Sequence, residues 1–282
     1  MGARLAYLNG QMLDEAEARV PVTDRGFMLA DGIYEVMRVY GGRPFALDRH
    51  LARLQRSAAQ LELTLQPATE ELGRLCLDLV QANSLQEGTV YLQVTRGAAP
   101  RAHAIPAELA PTTLILTSDR PLESAELRAK GVIAITVPDD RWARCDIKTI
   151  ALTANVLAKS KAARAGAFEA IFVRDGAVTD AASSNVFAVI DGALLTAPKS
   201  NYLLAGITRD ILVELAPANG LPIREEVFRL EALRRAEEIM VTSTTAEVMP
   251  VVELDGASVG DGKPGRMARK LQELFEEFRC RA

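Results

Sequence analysis

Arg144-Cys-Asp-Ile-Lys-Thr-Ile150 and, 32 positions beyond Lys148, Asp180-Ala-Ala-Ser-Ser-Asn-Val-Phe187 are the stretches on which the reading of this chain turns. A lysine amine can hold an aldehyde cofactor as a Schiff base, and a carboxylate against a pyridine nitrogen keeps that ring protonated as an electron sink. One amine and one carboxylate so placed point to pyridoxal phosphate chemistry. Lys148 lies between Ile147 and Ile150 with Asp146 as its nearest acid, and strand alternation predicts Asp146 on the opposite face. A partly desolvated lysine loses proton affinity, which Schiff-base formation and proton shuttling both need.

Three further segments supply what such a cofactor and its substrate require. Gly206-Ile-Thr-Arg-Asp210, ahead of the apolar run Ile211-Leu-Val-Glu-Leu215, reads as a glycine turn entering a helix. The amides of Ile207 and Thr208 and the Thr208 hydroxyl would then form an anion cradle. Val241-Thr-Ser-Thr-Thr245, leaving a strand, adds hydroxyls and amides suited to phosphate. Arg101-Ala-His103 follows Gly97-Ala-Ala-Pro100 in a loop, where a charged fork and a ring N–H can converge on one oxyanion. Taken singly these are an ordinary cap, a polar turn and a solvated loop; their weight comes from occurring together.

Composition narrows the alternatives. The 282 residues are 49% hydrophobic with a net charge of -4, enough apolar content for one large or two modest domains and no basic field for nucleic acid or anionic lipid. A small-molecule ligand is the expected partner. The first ten residues lack the apolar core of a signal peptide and no window reaches the ~18 apolar residues of a membrane span, so the chain reads as cytoplasmic. Three cysteines with no C-x-x-C pair and two histidines make no zinc set, so no metal is expected. Cys76 reads as core, Cys280 as a tail residue and Cys145 as a candidate for lining a site. Val259-Gly-Asp-Gly-Lys-Pro-Gly265 has Pro264 where a phosphate loop needs Ser or Thr, and is a surface turn.

Local patterns predict hairpins around Asn9-Gly10 and Gly41-Gly42, then helices from Leu47 to Leu61 and Pro67 to Asn83. Strands are predicted at 89–96, 112–117, 132–137, 169–174, 185–190 and 238–242, and helices at 154–165, 208–218 and 267–278. Asp-Gly turns at 175, 191 and 255 separate β segments, which fits α+β better than regular βαβ alternation. The polar stretch Ser118 to Ser124 is the predicted linker, giving domains 1–120 and 121–282, the second carrying Lys148 and the phosphate cradle.

At these residues the chain resembles a known family, the fold type IV pyridoxal-phosphate enzymes, and within it the D-amino acid aminotransferases. The resemblance runs from Leu8 to about Phe278. It rests on Asp24-Arg-Gly26, Asp31-Gly-Ile-Tyr-Glu-Val36, His50-Leu-Ala-Arg-Leu54, Val94 to His103, Arg141 to Lys148, Ser183-Ser-Asn-Val-Phe187, Gly206 to Asp210 and Val241 to Thr245. It implies an α+β two-domain enzyme, with a smaller α/β N-terminal domain and a larger β-rich C-terminal one, that uses pyridoxal 5'-phosphate and forms a homodimer. Carried over by position, Lys148 is the Schiff-base lysine, and Arg53, Ile207, Thr208, Ser243 and Thr244 hold the phosphate. Asp180 faces the ring nitrogen, Leu204 lies behind the ring, and Arg141 partners the phenolic oxygen. Tyr34, Arg101 and His103 trap the substrate carboxylate, and His50 is a helix-start residue. The implied reaction moves an amino group from a D-amino acid such as D-alanine to 2-oxoglutarate or a similar 2-oxo acid.

One position departs from the family pattern Glu-x-Ser-x-Ser-Asn. Here Asp180 is shorter by a methylene and Ala182 lacks a hydroxyl. Asp180 is expected to protonate the pyridine less firmly, slowing turnover without abolishing it. Three other readings share parts of the pattern: a branched-chain L-amino acid aminotransferase, an aminodeoxychorismate lyase, and a non-catalytic protein that kept only the cradle.

Overall fold

A computed structural model describes residues 4–123 and 125–281. The chain divides into two compact units: Met1–Pro121 with Ile147–Ala151, and Leu122–Asp146 with Leu152–Ala282.

The first unit is a six-stranded sheet in the order β2-β1-β6-β5-β3-β4, antiparallel at every pairing. Its strands are β1 (Leu5–Leu8), β2 (Gln11–Asp14), β3 (Gly32–Tyr40), β4 (Arg43–Pro44), β5 (Gly88–Thr95) and β6 (Thr112–Ser118). Asn9 and Gly10 both have positive φ, as a two-residue hairpin turn between right-twisted strands demands. Helix α1 (Arg25–Leu29) is short, while α2 (Leu47–Gln60) and α3 (Thr69–Ala82) turn Leu51, Leu54, Leu72, Cys76 and Leu79 onto one core. Strand alternation sends Ile33, Met37, Val39, Val90, Leu92 and Val94 into that core, and Tyr34 and Tyr91 to the other face. At Gly73 a Cβ would come within 2.9 Å of Leu51 Cδ1, so glycine lets the two helices approach.

The second unit is a nine-stranded mixed sheet, β12-β11-β10-β13-β14-β7-β8-β9, with β15 beside β14. Its elements in chain order are α4 (Ala125–Lys130), β7 (Val132–Pro138), α5 (Thr153–Arg164), β8 (Glu169–Arg174), β9 (Ala177–Ala181), β10 (Asn185–Ile190) and β11 (Ala193–Thr196). They continue with α6 (Ile207–Ala218), β12 (Ile223–Glu225), α7 (Leu230–Leu233), β13 (Glu238–Ser243), β14 (Glu247–Leu254), β15 (Ala257–Ser258) and α8 (Arg266–Arg281). A core of Val132, Ile171, Val186, Ile239, Val241, Met249 and Val251 lies on this sheet. The fold is α+β.

The structure differs from the sequence reading around Lys148. Residues 147–151 group with the first unit although they follow its last strand. Tyr34 N donates to the Lys148 carbonyl at 3.0 Å, Ile150 N and Thr149 Oγ1 donate to the Gly32 carbonyl, and Ile147 is buried in the first core. Nor is the segment a strand: it makes a single bridge, Ile33 to Thr149. Asp146 is therefore separated from Lys148 by a bend, not by strand alternation, and it pairs with Arg144.

Candidate active site

Lys148 is fixed at both ends of its backbone. Its carbonyl accepts from Tyr34, and its N–H donates to Ser57 Oγ of α2 at 3.2 Å. The side chain is half-buried, with Nζ 4.1 Å from the centroid of the Tyr34 ring. A ring face under the amine restrains where the nitrogen sits. Gly32 makes room for this arrangement, since a Cβ there would meet the Val94 carbonyl at 2.8 Å.

Arg53 projects from α2 into a buried network. Its Nε and Nη2 donate to the two oxygens of Glu35 at 2.7 and 2.8 Å, and His50 Nδ1 lies 2.7 Å from Glu35 Oε2. Burial works to raise the Glu35 carboxyl, but Arg53 and His50 outweigh it and bring it down to about 2. His50 does sit in the first turn of α2, yet it is a buried partner of Glu35 and not merely a helix-start residue; burial holds its ring below the ordinary histidine value. Sequence reasoning missed Glu35. The signal was available: Glu35 occupies a core-facing position between Ile33 and Met37, where alternation calls for an apolar side chain.

Arg101 and His103 lie exposed in a segment that belongs to no helix or strand. Tyr34 lies far upstream in sequence but in the same unit, on the sheet face opposite the helices, with its ring 5.7 Å from Tyr91.

The second unit collects the other predicted residues. Asp180, at the end of β9, is buried; Asn185 Nδ2 donates to its Oδ1 at 2.9 Å, while Arg141 Nη1 and the Leu204 N–H donate to Oδ2 at 3.0 and 3.3 Å. Burial raises the Asp180 carboxyl above its ordinary value, opposed by Arg141 and the Leu204 amide. Arg141 is held by several neighbours. Its guanidinium is taken up by Asp139, Asp180 and the Tyr202 carbonyl, and it stacks 4.3 Å over Phe172. It therefore steadies the Asp180 carboxyl. Cys145 is buried against the Trp142 carbonyl, and burial pushes its thiol up to about 11, so it is no nucleophile at neutral pH. Ser183 and Ser184 both donate to Glu169 at 2.7 Å, which ties the loop after β9 to β8.

Helix α6 opens at Gly206 with no side-chain cap, leaving the first-turn amides of Ile207 and Thr208 without helical acceptors. A Cβ on Gly206 would fall 2.0 Å from Asn185 Oδ1, so only glycine fits where the chain crosses Asn185. Thr242 pairs directly across from Asn185 and so shares its sheet face. Its Oγ1 is buried with no partner among the described residues, a costly state that a ligand oxygen would relieve. Ser243, next along, accepts from Ala246 N, and Thr244 follows in the same turn. An uncapped helix start, a glycine crossing and an orphaned hydroxyl are what a phosphorylated cofactor with a ring nitrogen to be held by Asp180 would fit. Among the described residues no group of three His, Cys, Asp or Glu side chains could hold a metal ion, and no helix is long and apolar enough to cross a membrane.

Comparison with known proteins places this geometry. Residues 32–254 match the family described as amino-transferase class IV, and the chain belongs to that family. It is an aminotransferase. D-alanine aminotransferase of Staphylococcus haemolyticus is 44% identical over 275 residues, covering 96% of each chain. Among solved structures, the branched-chain amino acid aminotransferase of Escherichia coli superposes with a TM-score of 0.92 at 27% identity, over 98% of this chain and 95% of that one. A hypothetical aminotransferase from Mycobacterium tuberculosis, in its PLP-bound form, gives 0.85 at 26% identity over 98% of both.

Proposed function

We propose that this chain is a pyridoxal-phosphate-dependent aminotransferase that moves the amino group of a D-amino acid, of which D-alanine is the type, to 2-oxoglutarate or a similar 2-oxo acid. The observation that carries the reading is the 44% identity, over nearly the whole length, to proteins named D-alanine aminotransferase. Bound pyridoxal phosphate supplies an aldehyde that takes up amino groups and a ring that accepts the electrons released at the substrate α-carbon.

The protein's part is to bind, orient and move protons. Lys148 would hold the aldehyde and carry the α-proton on Nζ, restrained by the Tyr34 ring. Asp180, hydrogen-bonded by Arg141, would hold the proton on the ring nitrogen. Ile207, Thr208, Ser243 and Thr244 would bind the phosphate, and so would Arg53, oriented by Glu35. Leu204, whose amide already holds Asp180, would back the ring. Arg101 and His103, with the Tyr34 hydroxyl, would take the substrate carboxylate and so set which hydrogen at the α-carbon meets Lys148.

The reading includes a cytoplasmic homodimer with small-molecule substrates. Exposed Val156 and Leu157 on α5 form an apolar pair suited to a second copy, and light scattering on the purified protein tests this. The deciding assay is a panel of D- and L-amino acids with 2-oxoglutarate, scored by conversion of the cofactor spectrum. Activity on D-alanine with none on L-leucine supports the proposal. The reverse would favour the branched-chain L-amino acid reading, to which the solved-structure likeness points.

A further inference from the structure

Arg101 and His103 belong to no regular element, yet a carboxylate trap must be held in place. The root of their loop is paired conventionally: Arg25 N donates to the Gly97 carbonyl at 2.9 Å, Ala99 N donates to Thr23, and Asp24 bridges Ala98. Beyond Pro100 that pairing stops. There the Arg25 side chain takes over. Its Nη1 donates to the carbonyls of Ala102 at 2.6 Å and Ala104 at 3.4 Å, and its Nη2 reaches the carbonyl of His103 at 3.5 Å.

Arg25 is itself immobilised. It is buried, and its Nε donates to Asp31 Oδ2 at 2.8 Å. The same oxygen accepts from Arg96 Nε at 2.8 Å, and Arg96 is anchored to the carbonyls of Leu61 and Glu62 after α2. Burial acts to raise the Asp31 carboxyl, but the hydrogen bonds from Arg96 and Arg25 hold it below the ordinary value. One guanidinium thus spans three successive carbonyls, as a neighbouring strand would, while leaving both flanking side chains exposed.

We propose that Arg25 is the positioning residue of the substrate-carboxylate loop, fixing the backbone of 102–104 so that Arg101 and His103 present their donors as a preformed pair. The inference rests on the reading of Arg101 and His103 as the trap. A buried charge with five donors suits the task because it makes several directed bonds for one side chain ordered. Lysine would keep the charge beside Asp31 but lacks the planar fork. Loss of the fork leaves the loop to sample other conformations, which weakens substrate binding in ground and transition states alike and so raises KM more than it lowers kcat.

The test compares Arg25→Lys, Arg25→Ala and Arg101→Ala. In both Arg25 variants KM for D-alanine and for 2-oxoglutarate should rise by about 10-fold or more, with kcat within about 3-fold and the cofactor absorbance unchanged. Trypsin, applied to cofactor-free protein, should cut after Arg101 about 10-fold faster than in the parent, because the bond enters the protease cleft only when the loop leaves its tether. Arg25→Lys retains the Asp31 ion pair and decides the matter if Arg25→Ala does not fold. Parental KM values in the Arg25 variants, alongside a raised KM in Arg101→Ala, would overturn the positioning role. A kcat and absorbance falling in step with the KM change would overturn it too, by marking Arg25 as part of the general framework. If Arg101→Ala itself leaves KM unchanged, the trap reading is what fails.

Discussion

Asp180 and Arg141 form an ion pair at 3.0 Å with both side chains buried, and Asn185 completes the carboxylate from the other oxygen. Aspartate is the shorter of the two acidic side chains, and the structure surrounds it with donors that fix it where its own length places it. The Arg141 guanidinium is also held by Asp139, so its position does not depend on Asp180.

Asp180→Asn should therefore leave Arg141 in place and remove only the negative charge. We expect kcat with D-alanine to fall by about 100-fold, in the range seen when a group acting on developing charge is lost. Asp180→Ala should do at least as much and change the cofactor absorbance. Unchanged half-reaction rates in either variant would refute the role of Asp180.

Gly206→Ala places a methyl 2.0 Å from Asn185 Oδ1, and Asn185 is tied to Asp180 and the Leu204 carbonyl, so it has no free direction in which to give way. Overpacking of this kind costs about 1–3 kcal/mol. Equilibrium dialysis should show weaker retention of pyridoxal phosphate, by about 10-fold, together with a lower melting temperature.

Thr242→Val tests the orphaned hydroxyl with opposite signs in two states. Without cofactor, removing a buried polar atom that has no partner should leave the melting temperature equal or higher. With cofactor, the lost hydrogen bond should weaken binding by about 5-fold to 10-fold. A drop in cofactor-free stability would show that Thr242 is already satisfied.

Glu35 links charge to stability. Its folded pKa of about 2 lies below the ordinary value of 4.5, so its contribution is fully present above the unfolded value and is lost as pH falls from about 4.5 through about 2. The shift corresponds to roughly 3 kcal/mol. Glu35→Gln should flatten the acid limb of a stability-against-pH curve in that window. It should also weaken phosphate binding, since Arg53 then loses the bidentate partner that aims it.

Elements with a clear period were readable in the sequence. The helices at 47, 69, 153, 207 and 266 begin within two residues of expectation, because Leu and Ala recur on one face, and the hairpins follow from Asn-Gly and Gly-Gly. β14 was not readable. Pro250 stands in its middle, where a ladder N–H is normally needed, and it is tolerated because pairing with β7 begins only at Val251. The residues proposed for the trap and the cradle are legible as motifs, but their supports are not: Arg25 reaches its carbonyl partners across more than 70 positions and Arg141 reaches Asp180 across 39, distances at which no local pattern speaks. Lys148 illustrates the same limit, for its segment is paired with Gly32 and Tyr34 far upstream.

That pairing has a consequence for how the chain can be divided and made. Residues Ile147–Ala151 complete a unit whose own sequence otherwise ends at Pro121, so the backbone crosses from one unit to the other three times. No single cut yields two whole parts. A fragment ending at Pro121 lacks Ile147 from its core and the partner for Tyr34 N, and during synthesis the first unit stays unfinished until Lys148 has emerged. The lysine proposed to do the chemistry is thus also a closing piece of the scaffold that holds it.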